Sequence, residues 1–190
     1  MYPDKDKDRS RGHSAASLYF ARIPWLCLML VTSSVTSSII ASFEAALASH
    51  LVLTAFIPML MDSAGNAGGQ ASAAAVRDIA KGRCELLSQR IAGELRVGIL
   101  CGVTLGALSF VKLMTLDSYL MGREIDLDVA FSVSAALTVT VVVAKLIGGV
   151  LPYLAKYLSL DPAAVSSPIV TTTVDALALV IYFSLARMLV

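Results

Sequence analysis

Five long apolar stretches, separated by short charged segments, set the pattern of the chain. The first contains 21 consecutive uncharged residues, and the second and fifth each contain a single acidic residue. About 20 mostly apolar residues are enough to cross a bilayer as a helix. The pattern therefore predicts five transmembrane helices, which lie between Arg22 and Glu44, between Glu44 and Arg77, over 97–115, from Val129 onward, and over 163–186.

The composition leaves little material for a separate water-soluble domain. Hydrophobic residues make up 57% of the 190 residues and charged residues 15%, and the mean hydropathy is +0.77. Backbone polar groups in lipid must bond internally, so the spans are expected to be helices. We predict an all-α integral membrane protein with five transmembrane helices per chain. Residues 1–21 would form a polar cytoplasmic tail and residues 22–190 the membrane domain.

The distribution of basic residues predicts the orientation of the chain. With a cytoplasmic N-terminus, the inner segments hold 11 Lys and Arg residues and the outer segments hold three. Positive charges collect in the cytoplasmic loops of membrane proteins. We therefore predict a multi-pass protein of the cell membrane, surrounded by lipid, with its N-terminus cytoplasmic and its C-terminus external.

Several classes of function are disfavoured by the charge and by the rarer residues. A net charge of +1 gives no basic excess for a nucleic-acid partner. The two histidines, His13 and His50, offer no cluster of nucleophile and base, so we do not expect an enzyme. The three cysteines lack the spacing of a zinc site or a disulfide framework.

Asp175 is the charge that is hardest to explain inside a membrane. It lies 14 residues after Asp161, or about 21 Å along the fifth helix, near its middle. Thr171 and Thr172 lie one turn earlier on the same face. Lys145, by contrast, is expected to extend its ammonium group to the inner surface. The sequence therefore marks Asp175 as the leading candidate for a functional site.

The second span holds another polar concentration, over 62–70. Pro58, Asp62, Asn66 and Gly69 would share one face of a regular helix, but Pro58 and three nearby glycines instead suggest a kinked or partly unwound segment. The competing interpretation is close helix packing, with Asn66 and Gln70 bonding between helices.

Two other patterns have structural explanations. Glycines at 98, 102 and 106 form a ridge on which another helix can pack closely, within a subunit or between subunits, although general crowding would explain it equally well. The hydroxyl-rich run over 32–38 is expected to bond back to its own helix carbonyls.

The polar groups in the spans favour an ion pathway. They are carboxylate, amide, hydroxyl and carbonyl oxygens, which suit magnesium, calcium or manganese better than zinc or copper. Two copies of Asp175 across the two-fold axis of a homodimer would offer two negative charges to one divalent cation. Because magnesium releases its water reluctantly, such a pair would hold a hydrated ion.

The motifs resemble those of the transmembrane domain of the MgtE family of magnesium transporters. The resemblance covers about residues 22–190 with five spans in the family's order, and its paired motifs are specific. It rests on Pro58 with Gly65-Asn66-Ala67-Gly68-Gly69-Gln70, on Asp161-Pro162-Ala163 with the run from Ser166 to Asp175, and on Pro24-Trp25-Leu26, Phe43-Glu44 and Arg77.

That resemblance implies a homodimeric Mg²⁺ channel whose pore follows the dimer axis, lined by the second and fifth helices. Asp175 and its symmetry mate would hold hydrated Mg²⁺, and manganese, cobalt, nickel or calcium would be weaker passengers. Asn66 and the surrounding glycine backbone would face the same pore. The complete candidate set is Asp175, Asn66, Asp62, Thr171, Thr172 and Gly65.

Two departures from the family pattern matter. Few residues precede the first span, whereas family members usually carry cytoplasmic N and CBS domains that sense magnesium. The chain is then either a pore-only member or a separated domain. A pore-only member would be gated by something else, for example a separate regulatory partner. Asp62 stands where family members have a small residue, and it would add a cation site, alter selectivity or pair with a polar neighbour.

Two other functions compete with passive conduction. The first is a proton- or sodium-coupled divalent cation exporter with Asp62 or Asp175 as a relay. The second is a non-transporting assembly factor whose polar residues hold helices together.

Overall fold

The computed structural model describes residues 14–44, 48, 50–83 and 86–189, with the backbone alone described at 21 and 164–167. Five long helices form the described part of the chain, and a short 3₁₀ helix, Leu51–Phe56, precedes the second of them. A π-helical segment, Leu113–Leu120, continues the third. The long helices are α1 (Ala15–Ser42), α2 (Ile57–Ala80), α3 (Leu87–Lys112), α4 (Leu127–Tyr157) and α5 (Pro162–Leu189).

The prediction of an all-α membrane protein is confirmed. Within the described ranges, four helical segments are long and apolar enough to cross a membrane: Ala15–Ser42, Leu87–Leu120, Leu127–Tyr157 and Pro168–Leu189. The helix α2 has 24 residues, but its glycine, serine and amide residues make it less apolar. Its role as a fifth span therefore stays a prediction.

The boundary of the N-terminal tail differs from the predicted one. Residues 1–13, which include the charged part of the tail and His13, lie outside the described residues. The helix α1 begins at Ala15, seven residues before the predicted start at Arg22. The sequence from Ala15 to Ala21 is uncharged, so it extends the apolar helix rather than the tail.

The predicted kink in the second span is wrong. The helix α2 runs without interruption through its glycines, because Pro58 lies in the first turn, where a helix needs no N–H donor. Gly68 serves helix packing instead, whereas a Cβ atom on Gly69 would meet nothing within 4 Å. A Cβ atom on Gly68 would lie 3.2 Å from the Ala144 carbonyl oxygen and 3.1 Å from Val170 Cγ1, so α4 and α5 approach α2 closely here.

The helix α4 is the centre of the bundle. It packs against α2, α3 and α5, whereas α1 packs mainly against α5. The core between them is apolar and consists largely of β-branched and small side chains. Its fully buried members include Leu60 and Ala64 of α2, Val133 and Val141 of α4, and Val174, Leu179 and Tyr182 of α5.

The glycine ridge of α3 is a contact within the chain. A Cβ atom on Gly102 would lie 2.7 Å from the Thr138 carbonyl oxygen, and one on Gly106 would overlap Thr138 Oγ1. On the opposite side of α4, a Cβ atom on Gly148 would overlap the carbonyl oxygen of Gly68. Small residues thus set the spacing of α4 from α3 and from α2.

Ion pairs join the helices near their ends. Arg90 of α3 is buried, and its guanidinium pairs with Asp78 at 3.2 Å and Glu94 at 2.7 Å and donates to the Ala71 carbonyl oxygen at 3.0 Å. These bonds tie α3 to the end of α2.

At the other end of α3, Asp117 is 2% exposed and accepts bonds from Lys112 and Arg123. These pairs hold the connection to α4.

We predict that Gly148→Ala destabilises the protein, because its methyl group would meet the Gly68 backbone, which cannot turn away as a side chain can. Overpacking of this kind costs about 1–3 kcal/mol. The midpoint of thermal unfolding in detergent, followed by size-exclusion chromatography, should therefore fall.

Gly93→Ala is the matched control, since a Cβ atom on Gly93 would have no neighbour within 4 Å. Its midpoint should stay or rise, because alanine favours a helix more than glycine does. Equal midpoints for Gly148→Ala and Gly93→Ala would contradict the packing described above.

Candidate functional site

Asp175 lies on α5 where this helix meets α1 and α2, and its side chain is half-buried. Thr171 and Thr172 precede it by one turn. The Thr172 hydroxyl donates to the Pro168 carbonyl oxygen at 2.9 Å, and the Thr171 hydroxyl lies 3.3 Å from the same oxygen. Pro168 lies inside the helix. A hydroxyl that donates to the backbone still has lone pairs with which it can accept a bond.

A cavity of about 310 Å³ opens beside this carboxylate, and we call it the Asp175 cavity. Four hydroxyl residues of α1 form one wall, Thr171, Thr172 and Asp175 of α5 form another, and two methionines complete the lining. The α1 residues are Thr32, Ser33, Thr36 and Ser37, and the methionines are Met29 and Met61. Asp175 is the one charged residue among these described lining residues.

The hydroxyl run of α1 bonds back to its own helix, as predicted. Thr32 donates to the Met29 carbonyl oxygen at 3.0 Å, and Ser33 donates to that of Leu30 at 2.6 Å. Back-bonding favours a structural role for the run, but its positions 32, 33, 36 and 37 also face the Asp175 cavity. The spacing of four residues, which puts these pairs on one face of a helix, was the signal that could have revealed them.

Gly65 of α2 faces the same carboxylate. A Cβ atom at this position would lie 3.9 Å from Asp175 Oδ1 and 4.0 Å from Thr171 Cγ2. The α2 backbone therefore approaches Asp175 without an intervening side chain. Of the six predicted site residues, the structure brings four together here, namely Gly65, Thr171, Thr172 and Asp175.

Asp62 and Asn66 lie on a different side of α2. Together with Gln70 they follow each other at intervals of four residues, so they share one face of the helix. This face lines a groove of about 540 Å³ between α2, α3 and α4, which we call the Asp62 groove. Its other lining residues are Ser63, Ala67, Leu100, Cys101, Thr104, Leu105, Val141 and Lys145.

The prediction for Lys145 is wrong. Its side chain is 7% exposed and does not extend to the inner surface. Instead the ammonium group donates to Gln70 Oε1 at 3.2 Å, across the Asp62 groove. The residue count places Lys145 in the C-terminal half of α4, 12 residues before Tyr157, but only the packing of α4 against α2 and α3 determines which way its side chain turns.

The chemistry of the Asp175 cavity suits an ion that keeps its water. Among the described residues, no three His, Cys, Asp or Glu side chains are grouped closely enough to hold a bare metal ion. One carboxylate and several hydroxyl oxygens can instead accept hydrogen bonds from the water around a cation. The ion pairs of the described residues do not include Asp175, so no cation of that part of the chain matches its charge.

Comparison with known proteins gives a consistent result. The family model for MgtE, described as a divalent cation transporter, matches residues 57–185. The magnesium transporter MgtE of Thermus thermophilus is 37% identical over 175 residues, which are 91% of this chain and 37% of that protein. The magnesium transporter MgtE of Bacillus subtilis is 31% identical over 183 residues, which are 95% of this chain and 39% of that protein. The chain thus spans somewhat over a third of the length of these relatives.

We predict that the Asp175 cavity contains water. In a chain whose three cysteines are replaced by alanine, Thr36→Cys should react with a charged thiosulfonate reagent, because only a hydrated thiol ionises to the reactive thiolate. The matched control is Val35→Cys, the neighbouring position, which is 53% exposed and lies outside the lining of the cavity.

The reaction of Thr36→Cys should be faster by at least about tenfold, as measured by mass spectrometry of the protein in lipid vesicles. Equal rates at positions 35 and 36 would contradict a hydrated cavity.

Proposed function

The chain belongs to the MgtE family of divalent cation transporters, and from this premise we propose that it conducts Mg²⁺ across the membrane with Asp175 as the central ion site. Family membership also confirms the prediction that the chain is not an enzyme. The observation that carries the proposal is the Asp175 carboxylate, which lies in a hydroxyl-lined cavity without a cationic partner among the lining residues.

The position of Asp175 supports an ion-binding role on energetic grounds. A carboxylate near the centre of a span costs about 2.5–3.5 kcal/mol on insertion scales. Asp117, which is more deeply buried, is compensated by Lys112 and Arg123. Asp175 has no such pair among the described residues, so we take a transported cation as the compensation for its charge.

The ion is proposed to stay hydrated at this site. Magnesium dehydrates reluctantly and usually keeps several of its waters. A single carboxylate with hydroxyls around it can bond those waters without replacing them. The Thr171 and Thr172 oxygens and the open side of Gly65 would then contact the hydration shell, and the absence of a Gly65 side chain leaves room for it.

A second copy of the chain is proposed to complete the site. In a two-fold dimer with α2 and α5 along the axis, two Asp175 carboxylates would match the charge of one divalent ion. The side chains of Asp62 and Asn66 are exposed although they line the Asp62 groove, which supports this arrangement, since exposed polar groups of a spanning helix need either a partner or water. In this proposal Asp62 and Asn66 attract cations that are passing through the pathway.

Three further properties belong to the proposal: the other ions carried, the orientation in the membrane and the regulation. Manganese, cobalt, nickel and calcium ions are proposed as weaker passengers of the same pathway, as the family resemblance implies. The proposed orientation keeps the N-terminus cytoplasmic, since the predicted inner segments hold most of the basic residues. A separate regulatory partner remains part of the proposal.

We predict that Asp175→Ala lowers Mg²⁺ flux into proteoliposomes by at least about tenfold, because the ion loses its only acidic ligand in the cavity. The measurement is uptake reported by a magnesium-sensitive dye inside the vesicles. Asp128→Ala is the matched control, since Asp128 is an exposed acid in the first turn of α4, away from the cavity.

The control should keep the flux of the native chain. Equal flux in Asp175→Ala and the native chain would remove Asp175 from the ion pathway. A loss of correctly assembled Asp175→Ala protein, detected by size-exclusion chromatography, would instead favour an assembly role.

We further predict that the flux is passive. At a fixed membrane potential, imposing a pH gradient or a sodium gradient should not change the rate of Mg²⁺ uptake. If either gradient drove Mg²⁺ against its own concentration gradient, the protein would be a coupled exporter, with Asp62 or Asp175 as the relay.

A further inference from the structure

Lys145 is a buried cation inside the membrane domain, and the proposed conduction through the Asp175 cavity makes no use of it. It lies 18 residues after Leu127 and 12 residues before Tyr157, or about 27 Å and 18 Å from the two ends of α4. Its side chain is 7% exposed. A charge this deep is retained at a cost, which is why ionisable groups inside spans usually serve a function.

The backbone around Lys145 is held in place. A Cβ atom on Gly98 of α3 would lie 3.4 Å from Lys145 Cβ and 3.3 Å from Val142 Cα. One turn later in α4, Gly148 packs directly against the Gly68 carbonyl of α2. The helix α4 is therefore fixed between α2 and α3 at this level, and the ammonium group can move only as far as its own side chain allows.

The Asp62 groove that receives this ammonium group is rich in acceptors. It offers the Asp62 carboxylate, the amide oxygens of Asn66 and Gln70, and the hydroxyl oxygens of Ser63 and Thr104. Such oxygen atoms are the ligands that a hard divalent cation prefers. The groove would therefore attract free cations if it contained no positive charge of its own.

The ammonium group of Lys145 already supplies a positive charge there. It uses one of its three N–H donors on Gln70 Oε1 and lines the same groove as Asp62. The groove then holds one fixed positive and one fixed negative charge. A divalent ion entering the groove would be repelled by the ammonium group, because like charges repel.

We propose that Lys145 is a specificity-determining residue that acts as a tethered cation, preventing a divalent ion from residing in the Asp62 groove and leaving Asp175 as the resident site. The proposal deepens the conduction mechanism above and rests on it. It explains how an extra acid at position 62 is tolerated beside the pathway, because the ammonium group compensates its charge. Ions then pass Asp62 and Asn66 without being trapped there.

The test counts the Mn²⁺ ions that the purified full chain binds tightly, by electron paramagnetic resonance of free Mn²⁺. Lys145→Gln should gain one site per chain, with an affinity higher by at least about tenfold than that of the groove in the native chain. Lys145→Arg, which keeps the charge, should gain none. The double variant Lys145→Gln/Asp62→Asn should lose the gained site again.

Equal counts for the native chain and Lys145→Gln would overturn the proposal, as would a gained site that survives Asp62→Asn. Asp62→Asn alone gives a further arm, which does not depend on how well Lys145 variants fold. It should leave the number of tightly bound ions unchanged, and the loss of one ion would show that the groove holds a resident cation despite Lys145.

The result of this Mn²⁺ count can be distinguished from the result of the Mg²⁺ flux test of the proposed function. The gained site does not involve Asp175, so Lys145→Gln should also gain it when Asp175 is replaced by alanine. If Asp175→Ala leaves the Mg²⁺ flux unchanged but Lys145→Gln gains an Asp62-dependent site, the proposal for Lys145 stands and the proposal for Asp175 falls. If Asp175→Ala lowers the flux but Lys145→Gln gains no site, the proposal for Asp175 stands and the proposal for Lys145 falls.

Discussion

The cost of an uncompensated charge in a low-dielectric bundle is the constraint on which the rest of the structure depends. The described helices meet it by pairing. Arg90 pairs with Asp78 and Glu94, and the buried Asp117 pairs with Lys112 and Arg123. Asp175 differs, because its described surroundings offer hydroxyl groups and a cavity instead of a cation. This difference between compensated and uncompensated acids distinguishes structural charges from the proposed ion site.

Close helix packing makes the site possible. The same lack of a side chain that lets α4 contact the α2 backbone at Gly68 also leaves the α2 backbone open toward Asp175 at Gly65. Glycine therefore has two roles along α2, at positions only three residues apart. Replacing either glycine would change the distance between α2 and a neighbouring helix, but only Gly65 borders the carboxylate.

The sequence predicts the helices well and their mutual orientation poorly. Apolar length and the position of Asp175 follow from composition and the rise of a helix, and the motifs identify the family. Whether Pro58 kinks a helix depends on which turn it occupies, and the structure places it in the first. The packing of the helices on each face of α2 decides where the Lys145 side chain points. It also separates Asp62 and Asn66 from Asp175. The spacing of residues within one helix does not predict which helices pack together.

A hydrated divalent ion bound through Asp175 is the central claim, and an anomalous scattering map of the protein with Mn²⁺ tests it most directly. The account predicts one peak beside Asp175 at about 4–5 Å from the carboxylate oxygens, the distance across one bound water, and its loss in Asp175→Ala. A peak in the Asp62 groove of the native chain, or no peak beside Asp175, would contradict the account.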